Sequence, residues 1–551
     1  MRFTNLLFLL GLLVAFLLAL IPPTFKTVLA NGNPDAPIGI AASGITDPNL
    51  VLTPAPLSLQ PVGTPFVDPV FGTTFRRVSN TSDSGGFETQ EYSQLQAFSS
   101  DNAYILLDGT NGFVVRRMSN FSLVTGLDTS NWNAPRWYPP QAHTLIHFDG
   151  NDDQIIEVQL TNVDTLTTTT IYTFPSQYQT IIVTRSFDEL SEDGRWLAGV
   201  AQRNDSAWVI FALDLQNLTL EAQVSIPGLY AGLCAPDPVW GQVPPDWVGI
   251  SPLGRYLVVQ WVRDGTTRCS GLETFDLQTG LFVGRVYDSH QHGDLGVDAD
   301  GTTEFVMTFE IYRSSGNMWL GLRHLPGTST VSPPIYVREL DWFNGEHISC
   351  RGPNGVCLVT AGGDSANGIQ PFEEELFLQY TDGQVLRLVH HRSSRCGYWV
   401  QPRATISRDG QYVVFASDWG RQSDCADLGR GDPYILELAG GFTLTTNPST
   451  QAIDPSDVAT FTIGLSGAFS GTVSLLAASP SPSLTLGLTP TSFTQPGQAT
   501  LILTDTHSPG SLSSGLWYSI PLTATGDGLT RTASVNLLVG GARAYLPMIL
   551  K

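Results

Sequence analysis

The chain of 551 residues contains only two lysines, Lys26 and Lys551. Charged residues of every kind make up 14%, against about 25% in an ordinary soluble domain. The 50 acidic and 28 basic residues give a net charge of −22. A chain so acidic and so short of lysine cannot build a basic patch, and it repels phosphate backbones, so nucleic acid is not expected as a partner. Beyond residues 6–21 no apolar run is long enough to span a bilayer. No C-x-x-C pair, P-loop, G-x-G-x-x-G opening a helix, or H-E-x-x-H occurs, and no G-x-S-x-G follows residue 440. The 54 glycines and 36 prolines argue against a coiled coil or a mostly helical protein, and 10% aromatics argue against wholesale disorder.

What is present starts with an export signal. Arg2 supplies a short basic region, residues 6–21 are nearly all apolar, and Val28-Leu29-Ala30 fits a small-residue cleavage site. An uncleaved anchor is the alternative, for which this run is short. Cleavage after residue 30 removes Arg2 and Lys26 and no acid, taking the charge from −22 to −24. Six cysteines remain, an even number, which in an exported chain points to disulfides. Cys350 and Cys357 flank the turn Pro353-Asn354-Gly355. Of the fifteen possible pairings we expect 350–357, 396–425 and 234–269.

Residues 31–60 are rich in Pro, Ala, Gly and Asn and read as a linker. Over 61–439 a weak repeat appears: a strand, a turn, then a second apolar strand. Its clearest copies are Leu190-Ser-Glu-Asp-Gly-Arg-Trp-Leu-Ala-Gly-Val200 and Ile406-Ser-Arg-Asp-Gly-Gln-Tyr-Val-Val-Phe415. Degenerate copies begin at Phe98, Trp137, Ile250, Val297 and Pro353. The seven turns recur every ~51 residues, and a period near 40–50 with several short strands marks a β-propeller. A single four-stranded blade cannot bury both faces, whereas a closed ring of blades buries each against a neighbour. The pattern is similar to the repeats of TolB-like (WD40-like) propellers of exported bacterial type. The resemblance implies an all-β fold with a seven-bladed β-propeller.

Residues 440–540 carry only five charges and no cysteine. Short alternating strands there, such as 459–463, 499–503 and 533–537, predict a β-sandwich. The stretch resembles the Ig-like modules of exported bacterial proteins; a Ser/Thr-rich stalk is the alternative. Residues 541–551 form a tail whose Tyr545-Leu546-Pro547 resembles a sorting tail, the alternative being a final edge strand.

Propellers bind ligands at the channel mouth, so polar residues just before each turn motif are the candidates. Gln94, Gln96, Arg136, Asp188, Asp246, His292, Asp294, Glu346, His347, Gln401 and Arg403 form that set. His290, His292 and Asp294 are also candidate ligands for a divalent metal, since alternate strand residues share a face. More distantly the repeats resemble oligogalacturonate lyases, propellers that hold a divalent metal with histidines and a glutamine. The family's His-Pro-His before the last Asp-Gly repeat is matched here by Gln401-Pro402-Arg403, so one implied ligand is an arginine. Arg136, Arg395 and Arg403 remain candidates to grip a carboxylate. The first expectation is therefore a secreted or cell-surface binding protein, without cofactor, monomeric, with an extracellular glycan or protein as partner and no membrane span once the signal is cleaved. The alternative is a lyase of that type with an altered metal site.

Overall fold

The computed structural model describes residues 44–541 apart from 151–154, 187, 311–315, 329–330, 332, 342–344, 364–367, 422–424, 426–429, 439–440, 449, 469–471 and 527–528. The expected signal peptide, and the expected tail beyond Gly541, lie outside the described residues. Among the described residues the fold is all-β. Its helical segments are a five-residue helix, Ile226–Tyr230, and three 3-10 turns.

Seven antiparallel sheets follow one another over residues 65–437. Sheet 1 (residues 88–117) has three strands, and sheets 2 (132–173), 3 (178–225), 4 (245–287), 5 (293–340) and 6 (345–390) have four each, in chain order. Sheet 7 joins the two ends of the region: Thr74–Arg77 pairs with Asp432–Glu437, with Thr74 opposite Glu437.

The repeated motif is the turn between the first and second strands of a sheet. The Oγ of Ser99, Ser191, Ser251 and Ser407 accepts the N–H of Tyr104, Trp196, Tyr256 and Tyr412, at 2.9–3.0 Å. In three of these turns the serine hydroxyl also donates to the motif aspartate: Asp101, Asp193 or Asp409. Gly194 and Gly410 take φ of +72° and +71°, a conformation that a side chain disfavours. Serine, aspartate and glycine thus close the turn, and the aromatic that follows starts the second strand.

The second strands are almost wholly buried because each sheet packs on both faces. Sheets 1 and 2 share a core of Leu106, Trp137 and Leu145. Phe148 and Phe211 join sheets 2 and 3, and Ile210 and Trp261 join 3 and 4. Val258 and Val306 join 4 and 5, Met307 and Val359 join 5 and 6, and Leu378 and Phe415 join 6 and 7. Val414 and Ile435 of sheet 7 then meet Ile105 and Leu107 of sheet 1. Each such side chain contributes ~1.5–3 kcal/mol on burial.

Residues 44–60, read from the sequence as linker, lie along sheets 6 and 7. Ile45 bridges Arg387. The carbonyls of Asp47 and Leu50 accept from Arg387, that of Leu52 from His390, that of Ala55 from Arg392 and that of Leu57 from the Trp419 indole. Their polar contacts run through the backbone, which is why composition alone suggests a free linker.

Residues 441–539 form two further sheets that share one core, with Phe461, Leu501 and Leu503 on one side and Ile520, Leu522 and Val535 on the other. Alternation is explicit in Gly497–Asp505, where every second residue from Ala499 is buried. One pair departs from the antiparallel rule: Thr450–Ile453 runs parallel to Asn536–Val539.

The structure forms three disulfides, Cys234–Cys269, Cys350–Cys357 and Cys396–Cys425, the set expected above.

Candidate functional site

The first strands of the sheets, and the segments flanking them, carry the polar residues that meet each other across sheets. They do so in two groups.

The first group is a closed network. Arg351, just after the first strand of sheet 6, places Nη2 against Asp188 of sheet 3 and 2.8 Å from Asp294 Oδ1 of sheet 5. Its Nε donates to the Gln94 carbonyl at 2.9 Å. Asp294 Oδ2 accepts the Cys350 N–H at 2.6 Å. Glu189 accepts the Gln96 N–H, and the Gln96 amide donates to the carbonyls of Arg351 and Ile406. Arg136 donates to the carbonyls of Asp188, Ser186 and Pro135. All of these side chains are buried. Burial pushes the carboxyls of Asp188 and Asp294 upward, and the pull of Arg351 only partly opposes it. Gly249 makes room for this arrangement: a Cβ there would fall 2.0 Å from Asp188 Oδ2.

The second group is open in its bonding. His347 lies edge-on to Tyr92, with ring centroids 5.2 Å apart, and stacks on His292 at 5.4 Å. His292 Nδ1 bonds the Glu346 carbonyl at 2.9 Å. Arg395 donates Nε to Glu346 Oε1 at 3.3 Å and Nη1 to the Gly363 carbonyl at 2.7 Å. The Arg403 guanidinium lies over Tyr398 at 4.1 Å and Trp399 at 5.3 Å, and donates to the Glu91 carbonyl and the Thr89 hydroxyl. Gln90 donates its amide to the Pro402 carbonyl. The Cys396–Cys425 disulfide tethers the segment that carries Tyr398 and Arg403. Arg403 adopts φ +38°, unusual for a residue with a side chain, and such local strain collects at functional sites.

Electrostatics follow from enclosure. Burial, together with the nearby His292, Arg403 and Arg395, holds His347 neutral, well below the usual imidazole value. Burial raises the Glu346 carboxyl. Glu91 keeps some surface exposed, but its Oε2 is closed off, and desolvation pushes its carboxyl up to about 7 against the fields of Arg136 and Arg403.

Fifteen buried side-chain polar atoms among the described residues have no hydrogen-bond partner, and seven lie in these two groups. They are Gln90 Oε1, Glu91 Oε2, Gln94 Nε2, Asp188 Oδ2, Glu346 Oε2, His347 Nδ1 and Arg403 Nε. Each orphaned atom costs ~1–3 kcal/mol unless something satisfies it.

The structure brings together His292, Glu346, His347 and Arg403 from the sequence set and adds Glu91 and Tyr92. Gln94, Arg136 and Asp294 belong to the closed network, whose hub, Arg351, the sequence reading missed. Asp246 pairs with His290 at 3.0 Å and Arg185 at 3.3 Å. Gln401 donates its backbone N–H to the Tyr398 carbonyl. The proposed metal ligands do not converge: His290 is on Asp246, His292 on the Glu346 carbonyl, and Asp294 on Arg351. Among the described residues no group of three or more His, Cys, Asp or Glu is arranged to hold a metal ion. The donor set does not fit the metal implied by the lyase resemblance, and no step is routed through one. A cavity of about 310 Å³ lined by Arg285, Arg323, Pro326 and their neighbours shares no residue with this cluster.

No family model matches the chain, and no curated protein matches it. Among solved structures it is similar to Pyrococcus horikoshii acylaminoacyl peptidase (orthorhombic crystal form), at 12% identity and a TM-score of 0.33. That likeness covers 65% of this chain and 55% of the peptidase chain, so the chain spans little more than half of that protein.

Proposed function

We propose that the chain is an exported binding protein in which a seven-bladed β-propeller of TolB-like type takes a polar ligand at its centre, with an Ig-like sandwich as spacer or attachment module. The cyclic order of shared cores from sheet 1 to sheet 7 supports the propeller. The two sheets around Phe461 and Ile520 support the sandwich. Three disulfides favour an oxidising compartment, and so a secreted or cell-surface location. No helix of the described residues is long and apolar enough to cross a membrane.

The observation that carries the binding role is the cluster of unpartnered atoms on Glu91, Glu346, His347 and Arg403. Several sheets contribute to it, so a ligand there would be read by groups that the ring holds rigidly. Binding is preferred to lyase chemistry because Arg403 stands where that family has a histidine, and because the histidines and Asp294 each have separate partners.

A thermal-shift screen tests the reading. Sugars, amino acids, short peptides and polyamines are added to the mature wild type and to Glu346→Gln. A compound that raises the wild-type melting temperature and does so less in the variant supports a central ligand site. Shifts that are equal in both proteins, or absent throughout, contradict it.

A further inference from the structure

We infer a second binding site, on sheet 3 and separate from the central cluster, for an uncharged, proline-containing peptide in extended form. A cavity of about 260 Å³ is lined by Ser206, Trp208, Ile226, Pro227, Gln242 and Pro244. It opens to solvent: Ser206, Pro227 and Gln242 are exposed and Trp208 is half-buried.

The wall is fixed from several directions. The Ser225 hydroxyl accepts the Gly228 N–H at 3.3 Å and caps the helix Ile226–Tyr230. Tyr230 Oη donates to the Val243 carbonyl at 3.1 Å and accepts the Val243 N–H at 3.0 Å. The Cys234–Cys269 disulfide and an Arg263 bond to the Ala235 carbonyl hold the segment between. Ser206 takes φ +66°, a strained value for a residue with a side chain, and such strain collects at functional sites.

The polar groups of this wall are uncommitted. Among the described residues no hydrogen bond engages the Ser206 Oγ, the Trp208 indole N–H or the Gln242 amide. No lining residue is charged, and the charges beside Ser206 in the chain, Arg203 and Asp205, pair with each other at 2.8 Å. Charge complementarity therefore selects an uncharged occupant. The indole only donates, and the glutamine amide and serine hydroxyl add further donors. A prolyl residue brings an apolar ring and no N–H, so it strands no donor of its own against Ile226, Pro227 and Pro244, while the carbonyls of its chain accept from the wall. A sugar would set many hydroxyls against a wall in which four of six side chains are apolar.

The chain holds such a peptide elsewhere. Trp419, which follows the second strand of sheet 7 (Tyr412–Ser417), donates its indole N–H to the Leu57 carbonyl at 3.0 Å, one residue beyond Pro56. Arg392 donates to the Ala55 carbonyl, between Pro54 and Pro56, at 2.7 Å. Trp208 stands at the same connection of sheet 3, between its second and third strands. The rim extends the surface. Asp237 Oδ1 accepts the N–H groups of Val239 and Trp240 in a turn that leaves those side chains 77% and 79% exposed. Trp240 is two residues from Gln242, so their Cα atoms lie within ~7 Å, and its ring can take a neighbouring residue of the peptide.

The test is calorimetric titration of the mature protein with two capped peptides, decaproline and Leu-Thr-Pro-Ala-Pro-Leu-Ser, the latter being the sequence of residues 52–58. The same heptapeptide with alanine at both proline positions, and cellotetraose, are the comparison probes. We expect at least one proline peptide to bind and both comparison probes to bind at least about tenfold more weakly. Gln242→Ala, Trp240→Ala and Trp208→Phe should each weaken the proline peptide by about three- to tenfold. Gln242 and Trp240 are exposed, and phenylalanine keeps a ring where Trp208 packs on the core, so the variants keep the fold, which near-ultraviolet circular dichroism checks. Cellotetraose or the alanine peptide binding as tightly, and losing affinity in the variants, overturns the proline-peptide class. Proline-peptide binding that none of the variants changes, or no such binding at all, overturns the site.

Discussion

Arg351 Nη2 lies 2.8 Å from Asp294 Oδ1 while the same nitrogen meets Asp188, so one buried cation answers two buried carboxyls from different sheets. Sheet 6 is thereby tied to sheets 3 and 5 through side chains alone. The inter-sheet cores join each sheet only to its chain neighbours, and this contact reaches across them.

Removing that cation is expected to be costly. Arg351→Met leaves both buried carboxyls without their cation, with only backbone N–H donors, and should destabilise the protein by ~3–5 kcal/mol. Asp294→Asn should cost clearly less, because burial already favours the neutral carboxyl. Denaturant unfolding measures both. A loss below ~1 kcal/mol for Arg351→Met would show that the network is not a structural tie.

Two residues should give pH dependences of opposite sign. Glu91 has its folded value raised from 4.5 to about 7, so its contribution is full below 4.5 and is lost as pH rises toward 7. Glu91→Gln should therefore gain stability relative to wild type across that interval. His391 has its folded value lowered from 6.5 to about 3 by burial. Its Nδ1 accepts the Ser393 N–H, so Nε2 carries the proton and donates to the Ala361 carbonyl; a second proton would break the Ser393 bond. Its contribution is full above 6.5 and is lost as pH falls toward 3. Melting temperatures of wild type, Glu91→Gln and His391→Asn between pH 4 and 8 read both signs, and parallel curves would refute both assignments.

Deleting residues 31–60 should destabilise the fold. Arg387, His390, Arg392 and the Trp419 indole all donate to carbonyls of that segment, and Leu57 and Leu59 pack on the core shared by sheets 6 and 7. Stranding these donors should cost at least ~3 kcal/mol, read by denaturant unfolding of the deletion variant. Unchanged stability would return the segment to the role of a free linker.

The disulfides should rank by loop length. Cys234–Cys269 spans 35 residues and Cys350–Cys357 spans seven. The chain-entropy estimate gives ~4 and ~2.5 kcal/mol for losing them. Paired alanine variants test the order, and alkylation of the unreduced, denatured protein should find no free thiol. A larger loss from the short loop would mean that native-state contacts set the scale instead.

The sequence was most informative where side chains dictate local geometry. Ser191, Asp193 and Gly194 fix their turn by their own hydrogen bonds and φ, so the motif was legible and the repeat with it. The alternation of 497–505 reflects one buried face and was equally plain. The closed network was less so: Gln94, Arg136 and Asp294 were singled out for their polarity, but polarity does not tell an unpaired group from one paired with another sheet. Arg351 stands beside Cys350, in a hairpin marked by its disulfide and its degenerate repeat but by no polar pattern. Glu91 and Tyr92 precede a degenerate repeat, where no motif marks the start of the strand. Residues 44–60 hold on by their carbonyls, which every residue possesses.

The most direct measurement is a crystal structure of the mature protein grown with a compound that passes the thermal-shift screen. The account predicts the ligand bound in the second group, against Glu91, Tyr92, Glu346 or Arg403. A ligand bound away from all four residues would contradict it.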